Sequence, residues 1–76
     1  MPKTIHSKKY KQLVGRLRSA RLEAGLTQKD VAIRIKKSQS YLSKVEMGEQ
    51  RLDIIELKAF ADLYKKPLDY FVGEQK

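Results

Sequence analysis

The sequence predicts an all-α fold, five short helices packed as one compact domain. Three observations predict it. Tyr10, Leu13, Val14, Leu17, Ala20, Arg21 and Ala24 recur at helical spacing along one stripe. Residues that satisfy free backbone N–H groups stand ahead of the later stripes: Thr27 with Asp30, Ser38, and Asp53 with Glu56. Gly25, Gly48 and Gly73 stand where stripes stop.

Residues 1–8 read as a flexible basic arm, residues 9–73 as the domain and residues 74–76 as a frayed tail. The first helix begins near Ser7, its N-cap, and ends at Ala24, with Gly15 weakening it slightly. Leu26 can fold back on its end. A second helix covers Gln28 to Ile35, with Val31, Ala32 and Ile35 on one face. Lys36 and Lys37 form the turn. The third helix follows Ser38, with Leu42, Val45 and Glu46 on its inner face, and Gly48 stops it. Asp53 caps a fourth, buried through Ile54, Leu57, Phe60, Ala61 and Tyr64. Pro67 opens a short fifth helix carrying Leu68, Phe71 and Val72.

Seventy-six residues hold one small core, so nearly every apolar helix face is committed to it. There is no cysteine and one histidine, His6, so neither a disulfide nor a metal site is expected, and no cofactor. The apolar runs are too short to span a membrane, and no apolar segment follows the basic N-terminus as in a signal peptide. A cytoplasmic protein is expected. A carboxylate pair or a phosphate-cradling glycine loop at useful spacing is missing, which argues against an enzyme. With no second domain, no small-molecule effector pocket is expected.

The net charge is +8, and it is uneven. Residues 1–22 hold seven of the 17 basic residues and no acid, leaving ten basic against nine acidic in the rest. A basic arm beside a polar helix face is the electrostatic footprint of a nucleic-acid binder. The outer face of the third helix carries Gln39, Ser40, Ser43 and Lys44, polar donors and a cation without a carboxylate. Such a set suits base edges: Gln39 can pair with adenine, Lys44 can donate to guanine, and the serines serve base or backbone. Gln28 opens the second helix, where free N–H groups favour a phosphate. Thr27, Lys37, Ser38 and Arg51 lie where they could join it as phosphate contacts. Arg21 is a cation on an apolar stripe and Glu46 an anion on another, and a mutual salt bridge answers both costs.

Residues Thr27 to Gly48 resemble the helix-turn-helix of the phage repressor and Cro type, the xenobiotic-response-element family. The pattern L-T-Q-x-x-[LV]-A, a turn, then S-x-x-x-[IL]-S-x-[IVL]-E-x-G is matched by Leu26, Thr27, Gln28, Val31, Ala32, Ser38, Leu42, Ser43, Val45, Glu46 and Gly48. The likeness runs from about Val14 to Phe71. It implies a lambda-repressor-like fold and a sequence-specific transcriptional regulator, a repressor or an activator, with the third helix, about residues 39–47, in the major groove. It implies the Arg21–Glu46 pairing, a Gln28 that bonds the DNA backbone and braces Gln39, and Tyr41 on a phosphate. It also implies a homodimer on two half-sites of a palindromic duplex. Ile55, Leu68, Tyr70 and Val72 are the candidate dimer surface, with core as the alternative place for them in so small a chain. The sequence departs from the family at Lys36 and Lys65, where glycine is usual. An antitoxin or adaptor that binds another protein is the alternative use of the same fold.

Overall fold

The computed structural model describes residues 7–73, and within them the chain is helical with no strand. The helices are α1 (Lys8–Glu23), α2 (Gln28–Ile35), α3 (Gln39–Glu46), α4 (Ile54–Tyr64) and α5 (Leu68–Val72). Residues 1–6, most of the expected arm, and the tail 74–76 lie outside the described residues. Ser7 is already the N-cap of α1, and Lys8 its first residue.

Local chemistry sets these boundaries. The Ser7 and Ser38 hydroxyls accept N–H bonds from Tyr10 and Tyr41, three residues on. Thr27 with Asp30, and Asp53 with Glu56, form complete capping boxes: each partner's side chain accepts the other's backbone N–H. The first four helices stop with the same pair of backbone bonds. Gly25 and Leu26 donate to Leu22 and Arg21, and Gly48 and Glu49 to Val45 and Lys44. Lys36 and Lys37 donate to Ile33 and Ala32, and Lys65 and Lys66 to Asp62 and Ala61. This reversal requires a left-handed residue. Gly25 and Gly48 meet it at φ 72° and 78°, but Lys36 and Lys65 adopt φ 60° and 59° against their side chains' preference. The two departures from the family pattern keep the turn and carry its strain.

The core draws on all five helices. Leu17, Val31, Leu42, Val45, Phe60 and Phe71 are fully buried at its centre. Helix α1 packs on α3, α4 and α5, while α2 and α3 pack on each other. Phe71 brings the five-residue α5 into the core, and the Arg16 guanidinium donates to the Tyr70 carbonyl at 2.7 Å.

Two expected core positions are corrected. Ile54 is 59% exposed, because as the first residue of α4 it stands ahead of the stretch the other helices cover. Ala24 is exposed as the C-cap of α1 rather than part of its buried stripe.

Candidate nucleic-acid interface

Side chains from two other helices converge on the carboxylate of Glu46 in α3. Arg21, from α1, donates from Nε to Oε2 at 2.7 Å and from Nη2 to Oε1 at 3.0 Å. Gln28, opening α2, donates from Nε2 to Oε1 at 3.0 Å. The remaining Arg21 terminal nitrogen, Nη1, donates to the Leu26 carbonyl at 2.9 Å, tying in the α1–α2 turn. Both charged side chains are nearly out of water, at 10% and 4% exposure. The bond to Glu46 raises the Arg21 pKa further, so the guanidinium stays charged. A charge-assisted, two-pronged pair of this kind fixes direction as well as distance. Its effect is to lock α3 against α1 and the start of α2.

The expected role of Gln28 changes accordingly. Its amide nitrogen donates to Glu46, and no hydrogen bond joins it to Gln39 among the described residues. The reason is reach: Glu46 shares the inner face of α3 with Leu42 and Val45, and Gln28 begins the helix packed against it.

Tyr41 changes too. Its hydroxyl, expected at a phosphate, donates to Glu56 Oε2 at 3.0 Å. The other oxygen of Glu56 accepts the Asp53 N–H of the α4 capping box. Burial, helped by Glu56, pushes the Tyr41 pKa up to about 12. The Lys37 ammonium lies 5.1 Å from the centre of the Tyr41 ring, a cation–π distance. Tyr41 therefore ties the start of α3 to the start of α4 and holds one turn lysine beside α3.

The outward face of α3 is left open by this bracing. Gln39, Ser40 and Lys44 are exposed and Ser43 is half-buried. Thr27, Lys37 and Ser38 are exposed around it, and so is Arg51 in the loop before α4. Thr27 and Ser38 use a lone pair for capping, which leaves each hydroxyl proton free to donate outward. The chain thus assembles a concentration of donors and cations around one helix face.

The candidate dimer residues divide. Ile55 is 75% and Val72 56% exposed, whereas Leu68 and Tyr70 are half-buried against the core. Tyr70 stacks edge-on with Phe71, and Arg16 and Lys66 lie over its ring.

Sequence reasoning missed two tethers. The Tyr10 hydroxyl joins α1 to the α3–α4 loop, and Glu56 joins Tyr41 to its own helix cap. Glu56 was visible only as a capping residue, and Tyr10 only as the first residue of a stripe. Among the described residues no helix is long and apolar enough to cross a membrane, and no group of His, Cys, Asp or Glu could hold a metal ion.

No curated protein matches the chain. The family model described as helix-turn-helix matches residues 17–71, which takes in α2, α3, their turn, α4, the second half of α1 with Arg21, and most of α5. The chain therefore belongs to the helix-turn-helix family of phage repressor and Cro type, and is in general terms a DNA-binding regulator.

Proposed function

We propose that the protein binds a specific double-stranded DNA sequence as a homodimer, inserting α3 in the major groove, and acts as a transcriptional regulator. The observation that carries this reading is the exposed, carboxylate-free face of α3, aimed by the Arg21–Glu46–Gln28 network. Gln39, Ser40, Ser43 and Lys44 contact base edges. Thr27, Gln28, Lys37, Ser38 and Arg51 contact phosphates, Gln28 through its backbone N–H at the start of α2. Tyr41 supports this work through its contacts with Lys37 and Glu56, the latter engaging its hydroxyl proton. The lysines and arginines of residues 1–22 add attraction that does not depend on sequence.

One copy reads few base pairs, so two copies on half-sites about 34–36 Å apart give the needed selectivity. Val72 supports a dimer surface: it is exposed and, with Tyr10, Leu13 and Phe71, lines a groove of about 260 Å³. Selection from a random duplex pool by purified protein at near-physiological salt tests the reading. An inverted repeat should be enriched; a pool that stays random after repeated rounds would contradict it.

A protein-binding role, as in an antitoxin or adaptor, is the second reading. The exposed Ile54 and Ile55 at the start of α4 favour it. Co-purification of a partner protein without retention of duplex DNA would support this alternative.

A further inference from the structure

We propose that Tyr10, which lies outside the helix-turn-helix, is a positioning residue for the Arg51 contact with the DNA backbone. The inference rests on the DNA-binding reading and adds a residue to it. The Tyr10 hydroxyl makes two bonds to the α3–α4 loop, 40 and 42 residues away. It donates to the Gln50 carbonyl at 3.2 Å and accepts the Leu52 N–H at 3.1 Å. These are the two neighbours of Arg51. A phenol has one proton to give and lone pairs to receive, so one oxygen serves a backbone acceptor and a backbone donor together.

Both ends of the contact are fixed. Tyr10 sits in the first turn of α1, where its own N–H is bound by the Ser7 hydroxyl. The loop is held at one end by the Glu49 and Gln50 N–H groups, which donate to the Lys44 carbonyl at 2.8 and 3.2 Å. At the other end the Asp53–Glu56 capping box starts α4. Between those anchors the Tyr10 hydroxyl holds the backbone on either side of Arg51. The Arg51 side chain remains exposed, and its point of attachment is set. Burial raises the Tyr10 pKa, which keeps the hydroxyl protonated and able to donate. Binding by a pre-set loop avoids part of the ordering cost that a loose loop incurs. α1 thereby acts on the interface in a second way, besides the Arg21 clamp.

The test is a double-mutant cycle on the duplex selected by the parent protein, at fixed salt and at a temperature where circular dichroism shows every variant folded. Arg51→Ala should weaken binding about tenfold. Tyr10→Phe keeps the ring and removes the two bonds, and should weaken binding about three- to tenfold. The Tyr10→Phe/Arg51→Ala double variant should match Arg51→Ala within about twofold, since Tyr10 acts through Arg51. Tyr10→Phe combined with Gln39→Ala should instead multiply the two single effects, because Gln39 is on a separate element. In the unbound protein, the Leu52 amide should exchange with solvent faster in Tyr10→Phe. A Tyr10→Phe variant that binds like the parent overturns the proposal. So does one that loses the same factor with and without Arg51, the mark of a general structural role. A parent protein that binds no duplex overturns the DNA-binding reading and this inference together, a result distinct from either of those.

Discussion

Arg21 and Glu46, 25 residues apart in sequence, are joined across α1 and α3 by two parallel bonds, Nε to Oε2 at 2.7 Å and Nη2 to Oε1 at 3.0 Å. Truncating either leaves the other charge buried without its counter-ion. Arg21→Ala or Glu46→Ala should destabilise the fold by about 3–5 kcal/mol, measured by urea denaturation. Replacing both, as Arg21→Met with Glu46→Leu, should recover most of that loss. The double variant should still bind duplex poorly, because the Gln28 amide loses its partner and α3 loses its clamp. A single variant that loses less than about 1 kcal/mol would show that water reaches the pair.

Lys36 and Gly15 are each disfavoured by local conformation, in opposite senses. Lys36 holds φ 60°, where a Cβ is strained, and Lys36→Gly should stabilise the domain by about 0.5–1 kcal/mol. Gly15 is inside α1, and a Cβ there would meet nothing within 4 Å. Gly15→Ala should therefore also stabilise, by about 0.5–1 kcal/mol. Thermal denaturation of both variants checks this. A lower melting temperature for Lys36→Gly would mean that its side chain contributes more than its strain costs.

Tyr41 gives a test in alkaline solution. Its pKa is raised to about 12 in the folded protein, through burial first and the bond to Glu56 second. An unfolded tyrosine ionises near about 10. As pH rises between these values the unfolded chain loses its proton first, so stability falls with pH. The contribution is fully present below the unfolded pKa and lost on approach to the folded one. Tyr41→Phe should flatten that part of the stability–pH profile. Identical alkaline slopes in parent and variant would contradict the assignment.

The Tyr64 hydroxyl is buried with no hydrogen-bond partner among the described residues. Burial raises its pKa and keeps it neutral. An unsatisfied buried hydroxyl costs about 1–3 kcal/mol of desolvation. Tyr64→Phe should leave stability unchanged or raise it by up to about 1 kcal/mol, read from denaturant midpoints at constant slope. A clear loss would assign the hydroxyl a stabilising bond.

The helices were legible because their signals are local. Thr27 with Asp30 and Asp53 with Glu56 announce starts within four residues, and a glycine announces each stop at Gly25 and Gly48. The meeting of Arg21 with Glu46 could be inferred because opposite charges on two apolar stripes have few other ways to avoid an unpaired burial. Contacts between polar side chains were harder to read. Spacing places Tyr41 and Gln28 on their helices, but not the distant carboxylates that reach them, Glu56 and Glu46. Ile54 has the spacing of the α4 core and remains exposed, because periodicity does not say where the covering elements end. The same limit separates exposed Ile55 and Val72 from half-buried Leu68 and Tyr70.

The outward face of α3 is the centre of the account, and binding to matched and scrambled duplexes measures it most directly. Specificity is the ratio of the two dissociation constants at one salt concentration. The parent protein should prefer its selected duplex by about a thousandfold or more. Gln39→Ala and Lys44→Ala should each reduce that ratio by about tenfold, while binding to scrambled duplex changes much less. Unchanged ratios in both variants would contradict the assignment of α3 as the reading helix.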